Sequence, residues 1–160
     1  MAKVERAGKV KELYDQAVNL QVAKDYAKAI VGYDEVIKLM PDDWQSYGNR
    51  GDCYWELEQE EKALADKDMA ISLEPANSFS YSARGLIYFQ IGETEKAQAD
   101  VEKAAELNAE YADLVYMTFA ENVEKLTGNK HDAAVYLKKA IERNGEYSDE
   151  AKKKLANWGM

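Results

Sequence analysis

An all-α solenoid, made of helix pairs stacked in a row and closed by one last helix, is the fold that this 160-residue sequence predicts. Three observations predict it. Similar residues recur 34 positions apart along most of the chain. Small residues hold fixed places inside apolar patterns of helical period. The only two prolines, Pro41 and Pro75, are themselves 34 apart, while eleven tyrosines and a hydrophobic fraction of 46% supply a core.

Written in rows of 34, the sequence brings Ala29, Ala63 and Ala97 into one column, and Leu39, Leu73 and Leu107 into another. Ile37, Ile71 and Ala105 share a third. The motif Tyr47-x-x-Arg50-Gly51-x-x-Tyr54 returns as Tyr81-x-x-Arg84-Gly85-x-x-Tyr88. The first row carries a reduced form of it, Leu13-x-x-Gln16-Ala17-x-x-Leu20.

The elements follow in chain order. The first helix holds Leu13, Ala17 and Leu20 and has room to begin within 2–10; Asp25-Tyr26 then breaks the pattern before the helix of Ala29. Asp42 with Gln45 reads as a capping box opening the third helix just after Pro41. Gly51 costs that helix about 1 kcal/mol against alanine, a cost that fits close approach by a neighbouring helix. Residues 58–60 separate it from the helix of Ala63, and Gly92-Glu93-Thr94 does the same one row later, with Gly92 as a left-handed C-cap. In the fourth row Ala133 falls 36 rather than 34 after Ala97, which places two extra residues in the 125–130 turn around Thr127-Gly128-Asn129. Asn144-Gly145 ends the eighth helix. Ser148 is the expected N-cap of a ninth, with Ala151, Leu155 and Trp158 on one face and Lys152, Lys153 and Lys154 around it. Such a helix is what an open-ended stack needs at its end.

These columns resemble the tetratricopeptide repeat (TPR) family, a 34-residue helix–turn–helix with the pattern W-x2-L-G-x2-Y, A-x3-F and P. The resemblance covers about 10–43, 44–77 and 78–111, a looser repeat at 112–146 and a capping helix at about 148–158. Lys67 and Val101 depart from it where an aromatic is usual, as does Ala109 in place of proline. It implies one domain over 1–160, a right-handed superhelix whose first helices line a concave surface. Inward positions are then Lys11, Tyr14, Asp15 and Val18; Gln45, Asn49, Asp52, Trp55 and Glu56; Phe79, Ala83, Leu86 and Phe89; and Asp113, Tyr116, Met117 and Ala120. Spacings of three and four put each set on one helical face.

Tyr14, Val18, Trp55, Phe79, Leu86, Phe89 and Tyr116 exceed what the repeat pattern needs, and surplus aromatic side chains are what a groove uses as anchors. With Asn49, Asp52 and Glu56 they form the expected partner-binding set, taking a peptide with apolar anchors and some positive charge, met by Asp15, Asp52 and Glu56. TPR domains that grip the C-terminal carboxylate of heat-shock chaperones use Lys, Asn and Arg along this face. Only Asn49 matches; Tyr14, Val18, Phe79 and Ala83 stand at the other positions, so that activity is not expected.

The net charge is −9, divided as +1 over 1–40, −10 over 41–110 and zero over 111–160. That balance suits neither a phosphate backbone nor an anionic membrane surface. No apolar run approaches the ~20 residues of a membrane span. Residues 1–10 carry charges with no apolar stretch behind them, so no signal peptide is expected. A single cysteine, Cys53, suits a reducing compartment, and a cytoplasmic site follows. Cys53 reads as a buried packing residue and His131, the one histidine, as a solvated turn residue. Arg50 and Arg84 recur with the repeat and read as packing residues with acidic neighbours. No phosphate loop, dinucleotide fingerprint or nucleophile elbow is present. The expectation is a non-enzymatic interaction scaffold without cofactor or metal. Its alternatives are a small acidic secretion-type chaperone and a self-associating TPR scaffold.

Overall fold

The computed structural model describes residues 2–160, with side chains from Arg6 onward; Met1, the first residue of the expected domain, lies outside the described residues. Nine α-helices account for the described residues, with no strand: α1 Ala2–Val22, α2 Tyr26–Leu39, α3 Trp44–Glu56, α4 Glu60–Leu73, α5 Ser78–Gln90, α6 Thr94–Leu107, α7 Ala112–Thr127, α8 Lys130–Arg143 and α9 Ser148–Asn157. None of them is long and apolar enough to cross a membrane. Two compact units divide the chain, one ending at Pro75 and one running from Ala76 to Met160.

In the first unit α1 packs on α2 and α3 on α4, with α2 against α3. Its buried cluster is Ala17, Ala29, Tyr33 and Cys53, flanked by Tyr14, Val18, Leu20, Tyr26 and Ile30. The expected close approach is present: a Cβ at Gly51 would stand 3.1 Å from the Ala63 carbonyl oxygen and 3.2 Å from the Asp66 Cβ. α1 spans 21 residues against 13 for α3, so the first helix does begin ahead of the repeat.

The second unit pairs α5 with α6 and α7 with α8, and lays α9 on α8. Its larger core includes Val101, Met117, Phe119, Val123, Tyr136, Leu137 and Leu155. Ala97 and Ala133 are fully buried, as Ala29 and Ala63 are in the first unit.

Local chemistry sets the ends of the helices. Asp43, not Asp42, caps α3: its carboxylate accepts from the Ser46 N–H at 3.1 Å and the Ser46 hydroxyl at 2.5 Å. Asn77, 34 residues on, caps α5 through the Ser80 N–H at 3.1 Å. The turn inside each pair holds one residue in the left-handed region, at Lys24 (φ 62°), Glu58 (58°), Gly92 (82°) and Gly128 (68°). The two extra residues of the fourth repeat lengthen α7 to 16 residues instead of enlarging the turn, because helix adds them without exposing an unpaired backbone group. Ala109, at the missing proline, opens a single 3-10 turn, Ala109–Tyr111. Ser148 does not cap α9. It is buried, and its hydroxyl donates to the Ala140 carbonyl of α8 at 3.3 Å, while the Asp113 carboxylate accepts the preceding Tyr147 N–H at 2.7 Å.

Candidate partner-binding surface

The repeated arginines join the two helices of a pair. Arg50 donates through Nε and Nη2 to both carboxylate oxygens of Asp66 at 2.7 Å, and through Nη1 to Asp34 at 2.5 Å. Its guanidinium lies over Tyr47 and Tyr54, 5.4 and 5.8 Å from the ring centroids. Hydrogen bonding to Asp66 holds its pKa above the usual arginine value. In the second unit Arg84 makes the same two-pronged contact with Asp100 at 2.8 and 2.7 Å. A forked, charge-assisted pair of this kind fixes helix orientation as well as adding energy. Both arginines are therefore packing residues.

In the first unit, α1 presents Lys11, Tyr14, Asp15 and Val18 on one side, and Val22 continues that side at 77% exposure. Tyr14 is half-buried: its ring meets Tyr33 edge-on at 6.0 Å, and its hydroxyl accepts from the Asn49 amide of α3 at 2.9 Å. Burial raises the Tyr14 phenol above its ordinary pKa. Asn49 is thus already engaged within the unit. Further along α3 come Asp52, Trp55 and Glu56, the first two half-buried and Glu56 exposed.

The acidic character expected of this face is largely cancelled by paired lysines. Asp15 pairs with Lys11 at 2.6 Å. Asp52 takes a hydrogen bond at 2.5 Å from Lys67 of α4, whose side chain is only 2% exposed and whose ammonium also donates to the Gly48 carbonyl at 2.9 Å. Lys67 is the residue sequence reasoning missed. Its replacement of the usual aromatic was the signal, since a lysine in a core column needs an acid within reach. Glu56 lies by Tyr26, whose phenol is raised by desolvation and by hydrogen bonding to that carboxylate.

In the second unit Phe79 opens α5 at 68% exposure, and Ala83, Leu86 and Phe89 follow, half-buried. Leu86 and Phe89 rest partly on the core of that unit. The fourth set departs from expectation. Asp113, Tyr116, Met117 and Ala120 are all buried, so Tyr116 is not an open groove residue. Asp113 is spent on the Tyr147 N–H, and the Tyr116 ring lies beneath Lys139 and Arg143, 5.8 and 5.7 Å from its centroid. Contacts with α8 and with the turn leading into α9 bury this side of the helix.

Cys53 is fully buried, and burial foremost, then the Asp52 charge, pushes its thiol up to about 12, far from a nucleophile's range. His131 is exposed at the start of α8, its N–H bound to the Asn129 side chain at 3.0 Å.

The tetratricopeptide repeat family model matches residues 45–77 and 80–111. No curated protein matches the chain. Among solved structures, MamA 41-end from Desulfovibrio magneticus RS-1 is similar at a TM-score of 0.63 and 23% identity, covering 84% of this chain and 75% of that one. The TPR2B domain of yeast Sti1 in complex with pHsp70 gives 0.64 and 22%, covering 73% and 98%. The first TPR of Spaghetti (RPAP3), bound to the HSP90 peptide SRMEEVD, gives 0.63 and 22%, covering 74% and 94%. At such identities the likeness is one of fold.

Proposed function

Given that this chain is a tetratricopeptide-repeat protein, we propose that it works as a non-enzymatic scaffold that takes up a peptide segment of a partner protein on its first-helix faces. The observation that carries this reading is that each unit leaves apolar side chains of its first helices partly open. They are Val18, Val22 and Trp55 in the first unit and, separately, Phe79, Leu86 and Phe89 in the second, with Val22 and Phe79 the most exposed. Side chains of this kind, partly supported by a rigid helix and partly open, bury apolar area on contact at little cost in ordering. The Spaghetti and Sti1 domains, captured with HSP90 and pHsp70 ligands, are structures of similar fold that hold such partners. Of the expected anchors, Tyr14 and Asn49 serve chiefly to shape the face, and Tyr116 belongs to the core.

Affinity capture from native extract, with the wild type and the Trp55→Ala/Phe79→Ala variant side by side, tests the reading. Proteins held by the first and lost by the second, with binding weakened more than ten-fold on titration, are the expected result. An unchanged set of captured proteins, with helicity by circular dichroism intact, overturns it.

A further inference from the structure

The amino-acid composition points to an acidic molecule, and a basic partner would be its ordinary complement. The charges on the two faces point elsewhere. On α1, Asp15 is matched by Lys11 one turn away, at 2.6 Å. A cation attracted by one of that pair is repelled by the other.

Asp52 is more firmly committed. Its partner ammonium, on Lys67, is buried and donates to the Asp52 carboxylate and the Gly48 carbonyl. If Asp52 turned to meet a cation on a ligand, Lys67 would keep its charge inside the unit without a counter-ion, which is the expensive way to break a buried pair. The Asp52–Lys67 pair is neutral as a whole, so it offers a ligand cation little net attraction. Glu56 alone remains, at the end of α3 and beside the Tyr26 hydroxyl.

The face of the second unit, taken by itself, asks for the same chemistry by a different route. Phe79, Ala83, Leu86 and Gln90 follow one another along α5 at spacings of four, three and four, and none of them is charged. Arg84 points away from this row, into its contact with Asp100.

We infer that each of these faces, taken by itself, accepts an uncharged segment of a partner protein, with aliphatic or aromatic anchors and neutral polar residues between them. The acidic excess of the chain then has no part in recognition. This rests on the peptide-binding reading above and narrows it to one class of partner.

A display library of random peptides, selected on the full-length chain, supplies the probe. The expected outcome is enrichment of peptides with two or more large apolar residues and no excess of Lys or Arg. Their Kd should change less than two-fold between 50 and 500 mM salt, in keeping with weak charge involvement. Glu56→Gln should likewise leave Kd within two-fold, and Val22→Ser with Phe79→Ser should weaken it more than ten-fold. Both substituted residues are exposed, so the fold, followed by circular dichroism, is retained. Enriched peptides rich in Lys or Arg, with Kd rising ten-fold or more over that salt range, overturn this inference and leave the scaffold reading standing. Peptides insensitive to Val22→Ser and Phe79→Ser, or no enrichment at all, overturn both. Concentration-dependent dimerisation abolished by Phe79→Ser would make a second copy the occupant and overturn the uncharged-partner inference.

Discussion

The α3–α4 pair of the first unit and the α7–α8 pair of the second solve the same packing problem with opposite chemistry. In α3 the contact position is Gly51, set against the Asp66 Cβ, and Arg50 clasps that aspartate from the side. The corresponding position of α7 is Phe119, whose ring meets Tyr136 of α8 edge-on at 4.6 Å. The α1–α2 pair uses a third solution, in which a Cβ at Gly32 would come within 2.8 Å of the Ala17 Cβ. The α5–α6 pair repeats the first with Gly85, Asp100 and Arg84. The difference shows that the repeat preserves a filled volume between two helices, not a residue. A column may pass from glycine to phenylalanine if the facing column changes with it.

Substitutions that break this matching should rank accordingly. Phe119→Ala removes a buried ring that packs edge-on against Tyr136, and should cost about 4 kcal/mol in urea unfolding. A loss below 1 kcal/mol would show that α7 and α8 can collapse onto each other.

Next in size is the column holding Lys67 in α4 and Leu137 in α8, both buried. Asp52→Ala leaves the Lys67 ammonium without its counter-ion and should cost about 3 kcal/mol. Lys67→Leu, which copies the fourth pair, frees a carboxylate that already reaches water and should change stability by less than about 1 kcal/mol. Equal losses from the two would mean that the ion pair itself adds stability, beyond the cost of leaving the lysine unpaired.

The smallest effect lies in the turns, where Glu58 holds the left-handed conformation that Gly92 and Gly128 adopt without strain. Glu58→Gly should gain up to about 1 kcal/mol, and Gly92→Ala should lose a similar amount. Thermal melts of the two variants against the wild type decide it.

Much of this was legible in the sequence because repetition exposes it. Ala29, Ala63 and Ala97 announced one set of contacts, Gly51 and Gly85 the other, and Gly92 its turn. The fourth repeat is less readable, since Phe119 stands in the glycine column and α7 absorbs the inserted residues, while the side bearing Tyr116 and Asp113 is covered by α8 and the turn into α9. The sequence does not separate Asp43 from Asp42, because either places a carboxylate near the start of α3, and only backbone direction chooses between them. The engagement of Asp52 escaped for a different reason. Its partner is 15 residues away on another helix, and pairing at that range depends on how α3 crosses α4.

The unlike contacts within the pairs also bear on how the chain avoids folding into the wrong order. Repeat proteins are prone to mispairing, because one helix resembles the next and a neighbour's mate can be captured during folding. Here α2 offers a glycine, α4 and α6 an aspartate waiting for an arginine, and α8 a tyrosine needing a ring to lean on. A helix seated against the wrong mate would meet a void, a clash or an unanswered charge. Only α4 and α6 carry the same key, so any kinetic trap from exchanged partners is confined to those two.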